Sequence, residues 1–245
     1  MDIAFRDSGK MILSRLVLNP RSREVIRDLA DCQAMHRTIL SAFPQASGPA
    51  RAEFGVLFRI DHPRDGTPAL LVQSRERPDW SKLPPSYLAK PLEPADVKDV
   101  SEAYASLKSG ATLRFRLRAN PTRRIDTKSG PDGKRRNGKR VELRTEAQQL
   151  EWLRRKGATH GFEVLSVRTS NGVPNVRVSD EGKSRGYRAN GTAREKNPLT
   201  FASVVFEGVL RVTDSDAFRL ALEQGIGPAK AYGFGMLSVA PAEER

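Results

Sequence analysis

Residues 111–121 read ATLRFRLRANP, and their alternation organises everything on either side. Leu113, Phe115 and Leu117 fall on one face of an extended strand, and Arg114, Arg116 and Arg118 fall on the other, the period of two that defines β-structure. One face packs on a core and the other is basic. Asn120-Pro121 stops the run. Downstream, TRRIDTKSGPDGKRRNGKR (122–140) is too polar and too rich in Gly, Lys and Arg to pack, which predicts a mobile loop. TEAQQLEWLRRKGATHGF (145–162) predicts a helix capped by Thr145 and ended at Gly157, with Leu150, Trp152 and Leu153 on its apolar side. FEVLSVRT (162–169) reads as a strand, and 175–197 as a basic hairpin arm. TFASVVFEGVLRVT (200–213) reads as a long strand and DAFRLALEQG (216–225) as a helix capped by Asp214 or Asp216. FGMLSVAP (234–241) is a closing strand.

Upstream, the same order recurs. MILSRLVLN (11–19) is a strand ended by Asn19-Pro20. Ser22 caps a short helix through Leu29, and Asp31 caps a second from Cys32 to Phe43, stopped by Pro44. FGVLFRID (54–61) and PALLVQSR (68–75) pair through a turn holding Asp65-Gly66. The proline-punctuated stretch 78–94, anchored by Trp80 and Tyr87, must supply an irregular final strand, and a polar helix over 95–108 closes at Gly110. Both halves follow strand–helix–strand–strand–helix–strand, the split βαβ arrangement. The expected fold is α+β, two tandem ferredoxin-like (RRM-like) domains at 1–110 and 111–245, with residues 1–10 an extra segment.

Composition narrows the partners. The 245 residues carry 42 Lys and Arg against 29 Asp and Glu, a net charge of +13, so a polyanion is the expected partner and nucleic acid leads. No run approaches the roughly 18 apolar residues of a membrane span, and MDIAFRDSGK lacks a signal-peptide core, so no membrane partner and a cytoplasmic location are expected. One cysteine, Cys32, and three histidines, His36, His62 and His160, make neither an internal disulfide nor a zinc cluster, and no cofactor or metal is called for.

Three features bear on chemistry. GIGPAKAYGFG (225–235) sets Gly225, Gly227, Gly233 and Gly235 around Lys230, either a phosphate-approaching loop or a glycine-rich helix stop. Arg123, Arg124, Arg135, Arg136, Lys139 and Arg140 extend the arginine face of Arg116 and Arg118 into a stripe suited to an RNA backbone. Lys183, Arg185, Arg188 and Arg194 form a second arm, and Arg15 adds a charge on the first strand. Within DCQAMHRTIL (31–40) and the residues after it, Met35, Ile39, Ala42 and Phe43 make the apolar stripe, with His36 at its edge and Arg37 beyond it. An edge histidine suits a satisfied structural residue as well as a catalytic one.

The segments MILSRLVLNPRSREVIRDLADCQAMHRTIL, LLVQSRERPDW, LRFRLRANPTRR, GKRVEL, VVFEGVLRVTD and GIGPAKAYGFGMLSVAP, in that order from Met11 to Pro241, resemble the CasE family of CRISPR RNA-processing endoribonucleases, the repeat-cleaving subunit of the type I-E Cascade complex. The resemblance implies two ferredoxin-like domains, repeat RNA hairpins and mature crRNA as ligands, other Cascade subunits as partners and a monomer when free. It also implies metal-independent cleavage leaving a cyclic phosphate and a 5′-hydroxyl. His36 and Arg37 match the family's [DN]-P-Y-x-x-H-R pattern and become the catalytic pair, with Lys183 and Arg185 as candidates near the scissile phosphate. The pattern's proline and tyrosine are Cys32 and Gln33 here, and an amide cannot exchange a proton as a phenol can. A non-catalytic RNA-hairpin-binding subunit of the same complex is the alternative that this departure supports, and a general basic RNA-binding or ribosome-associated protein is a further one.

Overall fold

The structure, a computed structural model, describes residues 10–63, 66–125, 139–167, 172–189 and 196–242. The first half runs β1 (Ile12–Val17), α1 (Arg23–Ala30), α2 (Cys32–Leu40), α3 (Ala50–Glu53), β2 (Leu57–Asp61), β3 (Ala69–Ser74), β4 (Val97–Asp99) and α4 (Ser101–Ala105). The second runs β5 (Thr112–Ala119), β6 (Thr122–Ile125), β7 (Lys139–Glu142), α5 (Glu146–Thr159), β8 (Phe162–Val164), β9 (Val176–Ala189), β10 (Lys196–Val212), α6 (Ser215–Gln224) and β11 (Leu237–Pro241). The sheet orders are β2-β3-β1-β4 and β11-β5-β10-β8, with every pair antiparallel. In both halves the first strand lies between the third and the fourth, and the second is at the edge, so two antiparallel α+β layers repeat one topology.

The helices begin where the capping residues stand. Ser22 Oγ accepts from Val25 N, Asp31 from Gln33 and Ala34, Thr145 from Gln148, and Asp214 from Asp216 and Ala217. Each half has its own apolar core: Leu16, Val25, Met35, Ile39, Phe58 and Trp80 in the first, Phe115, Leu117, Trp152, Phe162, Phe206 and Phe218 in the second.

Three expectations are corrected. The last strand of the first half is not in 78–94 but at Val97–Asp99, inside the expected polar helix. β-Branched Val97 joins Ser14 in the ladder to β1, Asp99 accepts from Ser101 N, and the helix shrinks to Ser101–Ala105. The segment 78–94 contributes only a bridge from Leu88 to Leu18. The basic loop 122–140 starts and ends as a ribbon, because Thr122–Ile125 pairs with Lys139–Glu142; residues 126–138 lie outside the described residues. The helix expected to end at Gly157 continues to Thr159, and Gly157 is there for closeness: a Cβ would stand 2.5 Å from Phe162 O. The 175–197 arm is a hairpin, with β9 running along β10 beyond the end of β8.

On the arginine face of β5 the first half meets Arg116, whereas Arg114 is exposed. Arg59, 3% exposed on β2, donates to Asp61 through Nε and Nη2 (2.8 and 3.0 Å), and through Nη1 to Arg116 O and Ser238 Oγ (3.2 and 3.0 Å). Burial works against the Asp61 charge, but the hydrogen bonds and charge of Arg59, with Arg116 at 3.5 Å, hold its carboxyl below the usual range. Gln73 adds a second tie, donating to Leu222 O (2.8 Å) and accepting from Tyr104 Oη (2.8 Å).

Replacing Asp61 with Asn leaves a buried guanidinium without its counter-charge, and a loss of about 3–5 kcal/mol in denaturant unfolding is expected. A carboxylate with a lowered folded pKa contributes its full stability above its unfolded pKa, about 3.9. That stability disappears as pH falls from there through the folded value, so the wild type should lose part of its margin in acid and the variant should not.

Candidate active site

The site grows from the start of α2. Met35 and Ile39 are fully buried, which turns the next residue along the helix, His36, to the rim of the core and Arg37 to solvent. What makes the rim a site is the second half, which presses two segments against α2. One is the 3₁₀ turn Lys230–Tyr232, held between left-handed Ala229 (φ 63°) and Gly233 (φ 83°). It brings the Tyr232 ring to 6.2 Å from the His36 ring, inclined at 59°; Tyr232 in turn stacks on Phe201 of β10 at 4.9 Å. The other is β9, whose Gly186 meets the helix so closely that a Cβ would stand 2.7 Å from Cys32 Sγ and 2.9 Å from Asp31 Oδ1. Tyr187 N donates to the same Asp31 oxygen (3.3 Å). A cleft of about 340 Å³ lies between the halves, walled by Cys32, Met35, Phe58, Arg118, Ser184 and Tyr232.

His36 is half-buried, and its Nε2 is buried with no hydrogen-bond partner among the described residues. Burial, then the positive charge of Arg51, pushes its pKa below the ordinary histidine value, so the ring is neutral at neutral pH. A structural histidine is satisfied by the fold, whereas this one is left with an unmet nitrogen. Lys230 is likewise held low by burial, then by Arg51 and Lys156. Arg51, on α3, carried no pattern in the sequence that would have singled it out; its four-residue helix has no buried position and no periodic stripe. Among the described residues, no group of three His, Cys, Asp or Glu side chains converges as a metal cage.

The other expected site residues are distributed differently from the sequence reading. Lys183 and Arg185 are exposed on β9, and Ser184 and Gly186, which alternate with them, are the residues that meet the cleft and α2. Strand alternation turns Lys183 and Arg185 away from α2, and Lys183 faces Glu142 at 3.9 Å. Arg118 pairs with Glu181 (2.7 Å), donates to Gly233 O and lies 4.5 Å over the Phe234 ring, all within the second half, and Arg116 lies between Asp61 of the first half and Glu207.

The glycine loop is corrected in the same way. Gly225 N donates to Ala221 O and Gly235 N to Arg118 O, and Cβ atoms would strike Leu57 from Gly225, Trp152 from Gly227, Phe58 from Gly233 and Ile226 O from Gly235. These glycines let protein approach protein. Arg15, Arg123, Arg124 and Arg140 are exposed. Arg135, Arg136 and Arg194, and the side chains of Lys139 and Arg188, lie outside the described residues.

Two antiparallel α+β halves with a neutral, unsatisfied histidine at their seam and a large excess of cations define a basic protein suited to handling a polyanion. The chain matches the family described as CRISPR associated protein over residues 11–241, and it belongs to that family, in its CasE branch. It is 37% identical to the CRISPR-associated endoribonuclease Cse3 of Thermus thermophilus and 31% identical to the Cascade subunit CasE of Escherichia coli, in each case over 94% of this chain and 100% of the relative. Its fold is similar to that of the solved Cse3 endoribonuclease bound to a 19-nucleotide RNA, with a TM-score of 0.72 over 96% of this chain and 100% of that one, at 37% identity.

Because Gly186 seats the hairpin, Gly186→Ala should lever β9 off α2 and uncover Cys32, which is 8% exposed and whose thiol burial pushes up. A thiol reagent should then modify Cys32 faster in the variant than in the wild type, measured as the rate of labelling in the folded protein.

Proposed function

We infer that this chain is an endoribonuclease that cleaves the repeat hairpins of CRISPR precursor RNA and keeps the mature guide within Cascade. In this reading its two halves, divided near residue 110, act as one cytoplasmic monomer before assembly. The observation that carries the reading is His36: half-buried, unsatisfied at Nε2 among the described residues, approached by Tyr232 from the other half, and held neutral by burial and the charge of Arg51. Its place in the family pattern and the endoribonuclease name of the Thermus relative support it.

The chemistry needs little more than these groups. The RNA 2′-oxygen attacks the adjacent phosphorus, the P–O5′ bond breaks, and the products are a 2′,3′-cyclic phosphate and a 5′-hydroxyl. The proton leaving the 2′-hydroxyl passes to the His36 imidazole, the leaving 5′-oxygen gains a proton, and nearby cations stabilise the charge that gathers on the phosphoryl oxygens. A neutral imidazole is the form a general base requires, and the lowered pKa favours that role. The phenol that Gln33 cannot supply has a counterpart in Tyr232, which approaches His36 from the other half of the molecule.

Single-turnover cleavage of a matching repeat hairpin in excess chelator tests this reading. His36→Ala should slow it by about 10²–10⁴-fold, and one 2′-deoxy substitution at the cut site should abolish it. The wild-type rate should rise with pH as His36 deprotonates and level off by about pH 7, because its pKa lies below the ordinary value of about 6.5. Tight binding without cleavage would favour the non-catalytic binding subunit.

The exposed arm makes a separate contribution. Neutralising Arg123, Arg124 and Arg140 together should weaken hairpin binding and reduce the slope of log affinity against log salt by about 0.7–0.9 for each phosphate that the arm no longer neutralises. An unchanged slope would remove the arm from the RNA interface.

A further inference from the structure

The cleft between the halves is a space that neither of them fills. Its walls are pinned at two places: Gly186 holds β9 against Cys32, and a Cβ on Gly233 would stand 3.0 Å from Phe58 Cε2. The gap left between these contacts is about 340 Å³. Ligand pockets run from roughly 300 to 1,000 Å³, so this one suits a single small planar group.

The lining is divided by chemistry. Met35 and Phe58, buried in the core of the first half, form an apolar floor, with Ile60 beside them on β2, the edge strand of its sheet. Exposed Leu29 marks the mouth. The second half supplies polar groups, Glu181 and Ser184 from β9 and Arg118 from β5. Glu181 Oε2 accepts from Arg118 Nε (2.7 Å) and from Ser203 Oγ (2.8 Å), which holds the carboxylate in one orientation. Both bonds fall on the same oxygen. Arg118 also donates through Nη1 to Gly233 O (3.2 Å), and its guanidinium has a further nitrogen, Nη2.

Two walls are shared with the candidate active site. Met35 directly precedes His36 on α2, and the Tyr232 ring lies 6.2 Å from the His36 ring. An apolar floor with an acceptor and a donor on one side is the chemistry of a nucleobase site. Sequence is read in RNA mainly at unpaired bases, which pack on apolar or aromatic groups and are hydrogen-bonded along their edges. Guanine fits this edge best. Its N1–H and N2–H donate side by side, as a carboxylate requires, and its O6 accepts from a neighbouring guanidinium.

We propose that the cleft is a base-recognition pocket: one unpaired guanine of the RNA packs on Met35, Phe58 and Tyr232 and is read by Glu181 and Arg118, which selects the phosphodiester that lies at His36. The RNA part rests on the endoribonuclease reading above; the pocket rests on its own walls.

Binding to the full-length protein tests the pocket, on repeat hairpins that carry 2′-deoxyribose at the cut site and so stay intact. Each nucleotide flanking the cut is in turn made abasic, or given each of the common bases or hypoxanthine. At one position guanine should bind tightest and the abasic hairpin should lose about tenfold or more in affinity. Hypoxanthine, which lacks the 2-amino group, should lose part of that. Ser184→Phe fills the cleft from β9 and should make the intact and abasic hairpins bind alike. Leu29→Trp closes the mouth from an exposed helical position, and should do the same if β9 does not accept the larger residue. Glu181→Gln should reduce the preference for guanine over adenine.

Abasic hairpins that all bind like the intact one, or a loss that persists in both filled variants, overturn the pocket. If the filled variants erase the loss but the wild type leaves an all-ribose hairpin uncut, the pocket stands and the endoribonuclease reading falls. If the hairpin is cut and no flanking base matters, the endoribonuclease reading stands and the pocket falls.

Discussion

The carboxylate of Asp31 is the point on which the arrangement turns. Its backbone N–H closes α1 by donating to Arg27 O, and its side chain opens α2 by accepting from Gln33 and Ala34. The same Oδ1 accepts from Tyr187 N on β9. One residue thus ends a helix, starts the helix that bears His36 and ties it to the other half of the molecule. Without the cap, α2 loses the partner for its first free donors, typically about 1 kcal/mol. Its larger consequence is positional, because the direction of α2 decides whether His36 meets the turn Lys230–Tyr232.

The seam mixes apolar and polar contacts: Leu57 and Phe58 meet the glycines of 225–235, and several polar groups are matched across it. Arg59 of the first half donates to Arg116 O and Ser238 Oγ of the second, Arg116 lies 3.5 Å from Asp61, and Gln73 donates to Leu222 O. Buried ion pairs of this kind add little net stability over apolar packing, but each fails badly with one partner missing, so they fix a register between the halves. Against that matched background the unmatched groups stand out. His36 Nε2 is one of these, buried without a hydrogen-bond partner among the described residues, as Arg116 Nε is at the same seam.

Much of this was legible in the sequence. Alternation in 111–121, the capping residues Ser22, Asp31, Thr145 and Asp214, and the place of His36 beside an apolar stripe all follow from local rules, and the structure keeps them. What was not legible depends on who packs against whom. The short strand Val97–Asp99 gains its identity from the ladder to β1, which no window of its own residues encodes. Arginines at alternate positions of β5 look like one surface, but β2 meets Arg116, Glu181 and Phe234 take Arg118, and Arg114 stays exposed. Glycines around Lys230 suggest a phosphate loop, but Leu57, Phe58 and Trp152 occupy the space that they leave. Arg51 is the clearest case, since nothing in the pattern of a four-residue helix shows that its charge bears on His36 of α2.

This division between seam and arms bears on how such a protein treats its product. In the proposed reading the exposed arginines on β6 and β7 attract phosphates in a screened, sequence-blind way, which is the same before and after one phosphodiester bond is broken. Interactions of that kind bind substrate and product alike and do not accelerate the reaction. Groups at the seam act in a drier place on charge that changes during the reaction, so they contribute to rate with little effect on retention. A molecule built this way can cut once and remain attached to what it has cut. The glycines of 225–235 then have a clear task, to bring the two halves close enough that Lys230 and Tyr232 reach the histidine from the opposite side.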